Sequence, residues 1–319
     1  MALTDWSYRK KITITGQTGA STNYQIKLLI GETSGATGED FDVDNKSVSF
    51  PSAKNISGDL RFTTSNGETL LDFWVESVTG TTPNRLATIW VEVSADLGSN
   101  QDIYCYYGGT TTNVSSGVNT FILFDDFDGA ADAVPDASKW NKTYTVTQRG
   151  DSTVRIGGTS GQYNGLHSIG TYGEGYAILT SAYVHNTTVG TSNSGSFGNS
   201  VNPGSTIGYD NRWNAPKERF VWDGGYNTVG AQTGSYKIFE TKRKGSGASE
   251  LLVDGTSIST KASGGGSTVT PITAWAYSSD YNYMDWVAVK KCQATEPAFN
   301  TAGSQEGGVS NQANFLAFF

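Results

Sequence analysis

Three aspartates lie within four positions in the segment Thr120–Gly129, TFILFDDFDG, and their spacing could support metal chemistry. Asp125, Asp126 and Asp128 precede a flexible glycine, Gly129. Calcium is held by about six to eight oxygens, mostly from carboxylates and carbonyls, so this acidic turn is a candidate for part of a calcium site. The alternative is that the aspartates cap a turn, because their side chains accept hydrogen bonds from nearby backbone amides.

A second candidate is the aromatic segment at 209–226, YDNRWNAPKERFVWDGGY. Sugar rings stack on aromatic side chains, whereas arginine, amide and carboxylate groups bond the sugar hydroxyls. The candidate ligand-binding residues are Tyr209, Arg212, Trp213, Arg219, Trp222 and Tyr226. The alternative is that Trp213 and Trp222 pack in the core or under loops, as large apolar side chains commonly do.

Short strands joined by tight turns should position these residues. Runs such as Leu86–Ser94 and Tyr176–Val184 are rich in β-branched and aromatic residues, and glycine, with 39 residues, recurs between such runs. Asn-Gly at 66–67 and Asp-Gly at 254–255 favour hairpin turns, the former of type I′. No helix signal of useful length appears in the first half. The sequence therefore predicts an all-β protein made of two jelly-roll-like β-sandwiches in tandem.

Length and local composition divide the chain into two units. At roughly 150 residues per domain, 319 residues suggest about two domains. The segment at 110–119, TTTNVSSGVN, is poor in apolar residues and is predicted to be a linker. We therefore expect one sandwich at 1–109 and a second at 120–305. The remaining tail at 306–319 is expected to pack on a partner or to be disordered.

Charge and cysteine usage limit the partners. The formal net charge of −8 argues against nucleic acid, because nucleic-acid binding needs a basic face. Cys105 and Cys292 have no CxxC spacing, and we interpret them as buried thiols rather than as an interdomain disulfide. No stretch is long enough to span a bilayer.

The two ends of the chain suggest where the protein acts. The first residues lack the basic start and apolar core of a signal peptide. Either a leader has been removed or the protein leaves the cell another way, for example in a virion. The last seven residues, ANFLAFF, are rich in Phe and Leu and could pack on a partner, including a second copy. The expected location is extracellular, on a cell surface or on a virion.

Five pieces of the first unit, in order along residues 6–108, carry a family resemblance. The pieces are Trp6–Ile14 (WSYRKKITI), Asp59–Thr63 (DLRFT), Leu70–Glu76 (LLDFWVE), Ile89–Val93 (IWVEV) and Ile103–Gly108 (IYCYYG). Together they resemble DUF2341, a domain of unknown function found in many surface proteins. The resemblance supports a buried thiol at Cys105, where the family usually has an aliphatic residue.

The second unit is similar to concanavalin A-like lectin/glucanase domains through Phe124–Gly129, Lys139-Trp140 and Tyr283–Val289. The resemblance implies a sandwich that binds carbohydrate or mediates adhesion, although one fold hosts many functions. In such domains the first and last strands meet and can share a structural calcium. Carried over to this chain, the resemblance gives the ligands Asp126, Asp128, the carbonyl of Gly129, and Asp285.

Glycan hydrolysis is disfavoured by what the sequence lacks. Glycosidases need two carboxylates roughly 5–9.5 Å apart, and glucanases of this fold carry them on a Glu-x-Asp-x-x-Glu strand. No such strand occurs between Thr120 and Gly303. His167 and His185 have no nucleophile motif nearby and are predicted at the surface or in turns. We therefore expect a non-enzymatic module for carbohydrate binding or adhesion. The alternative is a self-assembling subunit of a virion, fibre or filament, and a hydrolase is the third possibility.

Overall fold

The computed structural model describes residues 3, 5–159, 161–184, 191–198, 206–212, 218–222, 225–230, 234–263, 268–277 and 281–307. Strands dominate these residues, which confirms the all-β prediction. The chain forms two compact units, one running to Ile122 and including the residues from Thr295 onward, and the other spanning Leu123–Ala294. None of the described helices is long and apolar enough to cross a membrane. The aromatic tail, ANFLAFF, lies outside the described residues.

The first unit is a sandwich of two sheets. Its elements, numbered through the whole chain, are β1 (Tyr8–Thr15), β2 (Tyr24–Gly31), β3 (Phe41–Asp42), β4 (Arg61–Thr64), β5 (Leu70–Leu71), β6 (Phe73–Thr79), β7 (Leu86–Val93), β8 (Gln101–Tyr107), α1 (Gly117–Thr120), β24 (Ala298–Ala302) and β25 (Glu306–Gly307). One sheet has the order β24-β1-β8-β4-β5, with β25 also beside β1, and the other has the order β3-β2-β7-β6. Alternate side chains of both sheets, such as Ile12, Ile26 and Ile89, fill the core between them.

The end of the chain closes an edge of this first sandwich. β24 pairs antiparallel with β1, with Ile12 opposite Ala302, and Phe299 stacks on Phe41 at 6.1 Å. Without β24, β1 would leave a row of unpaired amide and carbonyl groups. The structure therefore differs from the predicted division, which assigned residues 120–305 to the second sandwich, because the residues from Thr295 onward belong to the first unit.

The segment predicted as a linker is bonded to the first unit. The Asn113 side chain accepts from the Ser57 amide at 2.9 Å, and the Ser115 hydroxyl accepts from the Val75 amide at 2.9 Å. The Ser116 amide donates to the Phe73 carbonyl at 2.9 Å. The low apolar content of this segment reflects polar side chains that satisfy the backbone at a sheet edge.

Residues of the DUF2341-like pieces form a structural corner around Asp59, which is fully buried. Its carboxylate accepts from the amides of Val48 at 2.8 Å and Gly108 at 2.7 Å, and from the Ser47 hydroxyl. The Trp6 indole donates to the Asp59 carbonyl at 2.7 Å. A side chain at Gly108, where φ is +76°, would also collide with the ring of Tyr8. These residues fix the fold of the first unit.

The second unit is a larger sandwich. Its strands are β9 (Leu123–Asp125), β10 (Trp140–Thr143), β11 (Val146–Gln148), β12 (Val154–Gly157), β13 (Tyr163–Tyr172), β14 (Tyr176–Val184), β15 (Thr191–Gly198), β16 (Thr206–Arg212), β17 (Glu218–Trp222), β18 (Gly225–Thr228), β19 (Tyr236–Arg243), β20 (Ser249–Val253), β21 (Thr256–Lys261), β22 (Thr270–Tyr277) and β23 (Tyr281–Lys291), with a 3₁₀ turn at Gly245–Gly247. A seven-stranded sheet has the order β10-β13-β22-β15-β16-β17-β18, and an eight-stranded sheet has the order β11-β12-β23-β14-β19-β20-β21, with β9 also beside β23.

The core of the second unit lies between these two sheets. Leu166, Ile272 and Phe220 come from the seven-stranded sheet, and Ile178 and Val287 come from the eight-stranded sheet. Because successive side chains of a strand point to opposite faces, each of these residues also shows which of its neighbours point away from the core.

Both cysteines are buried thiols outside any disulfide, Cys105 in the first unit and Cys292 in the second, as the sequence predicted. Burial raises the pKa of the Cys105 thiol well above its ordinary value. Each unit therefore carries one thiol that its own fold protects.

Candidate functional site

The acidic turn after β9 is organised by Asp125, which is buried. Its carboxylate accepts from the Phe127 amide at 3.0 Å and from the Trp140 indole at 2.6 Å. Phe127 has a φ of +50°, which is uncommon for an aromatic residue, and its fully buried ring packs in the core. Burial raises the pKa of the Asp125 carboxyl above its ordinary value. Asp125 therefore caps the turn, the alternative that the sequence left open for this residue.

The four predicted calcium ligands take different positions around this turn. Asp126 is half-buried and Asp128 is exposed. A side chain at Gly129 would collide with Gln148. Asp285 is the extra residue of a bulge in β23, and it accepts from the Ser181 hydroxyl at 3.5 Å. β9 does pair with β23. Among the described residues, however, no group of three or more His, Cys, Asp or Glu side chains is close enough to hold a metal ion.

Calcium at these residues therefore stays a prediction with a direct test. If Asp126, Asp128, Gly129 and Asp285 bind calcium, Ca²⁺ at about 100 times its Kd should stabilise the second unit by about 2.7 kcal/mol, because ligand binding favours the folded state. Thermal unfolding in Ca²⁺ and in EDTA measures this difference. The D126N/D285N variant should lose it, whereas Asp96→Asn in the first unit should keep it. Equal unfolding temperatures of the wild type in Ca²⁺ and EDTA would remove the site.

Strand alternation divides the predicted aromatic segment between two faces. Tyr209 is fully buried and lies 4.9 Å from Phe239 of the opposite sheet, and Trp222 packs against the same core. Both positions therefore correspond to the core alternative rather than to exposed binding residues. Trp213 and the side chain of Arg212 lie outside the described residues. Arg219 and Tyr226 point the other way.

We call the face of the seven-stranded sheet that points away from the core the outer face. There the Arg219 guanidinium bonds the Asp210 carboxylate at 2.7 Å and lies over the Tyr226 ring at 4.6 Å from its centroid. Asp210 and Arg219 are buried, while Tyr226 is 46% exposed. Asp210 is the residue next to Tyr209. The sequence therefore located the right segment, but it did not show which of its residues point outward.

A second aromatic group lies on the outer face across β13 and β22. Tyr163 and Tyr277 are half-buried, with ring centroids 4.5 Å apart. Trp275, 2% exposed, packs edge-on against Tyr163 at 5.7 Å. Sequence reasoning missed β13 because YNGLHSIGTY has glycines and polar residues in place of clean alternation. Aromatic residues at both ends of that run, Tyr163 and Tyr172, were the available signal.

His167 and Thr273 form a polar floor beside this aromatic group. They are directly opposite each other in the register of β13 and β22, and both are buried. The two ring nitrogens of His167 have no hydrogen-bond partner, and the hydroxyl of Thr273 has none either. Burial lowers the pKa of His167 to about 4, so its ring is neutral near pH 7. Buried polar atoms are nearly always bonded, so these two side chains are suited to a hydroxyl or a water. The predicted surface position of His167 is wrong.

Carboxylates on the described strands of the seven-stranded sheet do not form a catalytic pair. Asp210 lies on the outer face, bonded to Arg219. Glu218 is two residues before Phe220, a core residue on the same strand, and therefore points to the core side of the sheet and not to the outer face. Among these strands the outer face thus has one carboxylate where glycoside hydrolysis needs two.

Fold and site together define an all-β protein of two sandwich units, the second with an aromatic and polar sheet face. A family model described as a domain of unknown function (DUF2341) matches residues 57–143. The match includes four of the five pieces that carry the resemblance, begins after Trp6–Ile14 and continues past Ile122, the end of the first stretch of unit one. No curated protein matches the chain.

Several solved structures are similar to about half of the chain. A β-1,3-glucanase from Mycobacterium marinum has 18% identity, a TM-score of 0.43 and coverage of 53% of this chain and 98% of its own. A protein of Mycobacterium tuberculosis described as an immunostimulatory antigen and pseudo β-1,3-glucanase has 18% identity, a TM-score of 0.42 and coverage of 56% and 100%. The β-glucanase of Bacillus licheniformis has 15% identity, a TM-score of 0.42 and coverage of 53% and 98%.

Proposed function

We propose that the second unit binds carbohydrate on its outer face without cleaving it. The observation that supports this most directly is the combination of two partly accessible rings, Tyr163 and Tyr277, with the unbonded polar atoms of His167 and Thr273 beside them. The CH faces of a sugar pack on aromatic rings, and its hydroxyls both donate and accept hydrogen bonds. A neutral imidazole offers one donor and one acceptor, which suits a hydroxyl.

The charged side chains that the structure describes on the outer face favour a neutral glycan. Asp210 and Arg219 neutralise each other, and His167 is uncharged near pH 7. The net charge of −8 for the whole chain opposes binding of a polyanion. A glycan on a surface or in the surroundings of a cell implies an extracellular location for the protein.

The binding proposal is tested with the full chain in gels that contain soluble β-glucan, xylan or galactomannan. Tyr163→Ala and Tyr277→Ala are each expected to weaken retardation about 3- to 10-fold, because aromatic stacking contributes about 0.5–1.5 kcal/mol per ring. Trp222→Phe, a conservative change at a core-side residue, serves as the matched control and should bind as the wild type does. Release of reducing sugar from any of these polymers would contradict the non-hydrolytic part of the proposal.

The alternative of a self-assembling subunit is separated by sedimentation of the same preparation. A discrete monomer that is retarded by a glycan supports the binding function. Filaments or large closed particles, seen by electron microscopy, together with unretarded monomer, would favour assembly.

A further inference from the structure

Four tyrosines form a row of rings on the eight-stranded sheet, on the face that points away from the core. We call this row, Tyr281, Tyr283, Tyr183 and Tyr236, the tyrosine strip. Successive ring centroids are 5.1, 6.1 and 5.9 Å apart. Tyr236 is 46% exposed and the other three are half-buried. A contiguous row of accessible rings is unusual on a surface that has no partner.

The strand register explains why these four rings meet. Tyr283 of β23 is directly opposite Tyr183 of β14, and Tyr183 is opposite Tyr236 of β19. Tyr281 lies two residues before Tyr283 and therefore points to the same face. Its cross-strand partner is Gly157, which has no side chain to cover the ring. The strip therefore depends on the pairing of three strands, β23, β14 and β19, that do not follow one another in the chain.

Two arginines lie over rings of the strip, and two nearby aspartates balance their charge. Arg149 lies over the Tyr283 ring at 4.6 Å and pairs with Asp151 at 3.5 Å. Arg155 lies over the Tyr281 ring at 5.4 Å. Asp285, the bulge residue of β23, lies close enough to Tyr236 to raise the pKa of that tyrosine, an effect to which burial contributes most. Two arginines and two aspartates balance, so neither a polyanion nor a polycation is complemented here.

We propose that the tyrosine strip is a second binding site, for an extended chain of a neutral polysaccharide. The four rings offer successive stacking surfaces whose centroids are 5.1 to 6.1 Å apart. The tyrosine hydroxyls and the arginines offer hydrogen bonds to sugar hydroxyls. The strip and the outer face belong to opposite sheets of one sandwich and point in opposite directions. Two such sites let one molecule hold two polymer chains, and retention of the protein on a polymer then exceeds that of either site alone.

The test uses the full chain in gels containing soluble β-glucan, xylan or galactomannan, with dextran sulfate as the anionic comparison. Y183A/Y283A is expected to lower retardation by the neutral polymers about 3- to 10-fold, and Y183F/Y283F, which keeps both rings, should bind nearly as the wild type does. Y163A/Y277A should retain the contribution of the strip, and combining all four alanine changes should abolish retardation. Buried Cys292 must remain unreactive in every variant, which shows that the second unit is folded.

A second measurement locates the contact without any substitution. Nitration with tetranitromethane should modify the strip tyrosines in the free wild-type protein, and the retarding polymer should protect them. Y183A/Y283A that is retarded as strongly as the wild type, with no protection of the strip, would overturn the proposal while leaving the outer-face function standing. Loss of retardation in Y183A/Y283A but not in Y163A/Y277A would support the strip and contradict the outer-face function. A wild-type dimer that Y183A/Y283A splits into monomers, without glycan binding, would show that the strip is an interface between copies.

Discussion

Replacing Asp59 with alanine is expected to lower the free energy of unfolding of the first unit by about 4 kcal/mol, because several hydrogen-bond donors then lose their acceptor inside the protein. The carboxylate accepts from Val48, Gly108 and Gly109 amides and from the Ser47 hydroxyl. The Gly108 amide is buried, so its desolvation is uncompensated once the carboxylate is removed.

Asp59→Asn separates hydrogen bonding from charge. The amide oxygen can still accept from the three backbone amides that the Oδ2 atom now serves, and the amide nitrogen can donate to Ser47. The expected loss is about 1–2 kcal/mol, because hydrogen bonds to a charged group are roughly twice as strong as neutral ones. Equal losses for alanine and asparagine would contradict this account. Asp72→Asn, at an exposed carboxylate of the same unit, should change stability by less than about 0.5 kcal/mol.

The two thiols make this measurement specific to one unit. Cys105 is buried in the first unit and Cys292 in the second, and the chain has no other cysteine. Urea unfolding followed by thiol labelling, with the two cysteine peptides resolved by mass spectrometry, reports each unit separately. Asp59→Ala should shift the Cys105 transition to lower urea. An equal shift at Cys292 alone would contradict the placement of Asp59 in the first unit.

The second large effect is a dependence of stability on pH that His167 causes. Its pKa is about 4 in the folded protein because burial disfavours the imidazolium, whereas an unfolded histidine titrates near 6.5. Above pH 6.5 the ring is neutral in both states, so stability is complete. As the pH falls from 6.5 toward 4, His167 binds a proton in the unfolded state but not in the folded state. The free energy of unfolding therefore falls by about 1.4 kcal/mol per pH unit.

Between pH 7 and pH 5 this contribution amounts to about 2 kcal/mol in the second unit. His167→Gln, which cannot titrate, should remove it, so the difference in slope between variant and wild type isolates His167 from every other acid or base. Urea unfolding at several pH values, read from Cys292 with 4,4′-dipyridyl disulfide, measures that slope. Identical pH dependence in both proteins would mean that His167 is solvated or bonded in the folded state.

Local sequence was sufficient for elements whose determinants are local. The alternating run at Tyr176–Val184 is β14 with the predicted bounds. Asp254-Gly255 forms the predicted hairpin turn, with φ of +50° and +79°, because these residue types tolerate the left-handed region. The hairpin at Asn66-Gly67 is also present, but Asn66 does not take a positive φ. Its side chain instead accepts from the Glu68 and Thr69 amides, so the predicted type I′ geometry is wrong.

Local sequence patterns did not predict the glycine-rich strands. The run at 190–204 is rich in glycine and serine, a composition typical of a loop, yet Thr191–Gly198 pairs with both β16 and β22 inside the seven-stranded sheet. Such strands have weak intrinsic preference and are held by the neighbours on either side. The same reason hid β13, and with it the side chains of Tyr163 and His167.

By itself, the sequence determined the all-β class, the two buried thiols and the stretches that hold aromatic and polar residues. The tertiary structure decided which members of those stretches are accessible. Adjacent residues of a strand point to opposite faces, so Tyr209 fills the core while Asp210 lies on the outer face, and only the packing of one sheet on another fixes which is which. The tyrosine strip and the pairing of β24 with β1 likewise depend on contacts between residues far apart in the chain, which no local sequence pattern indicates.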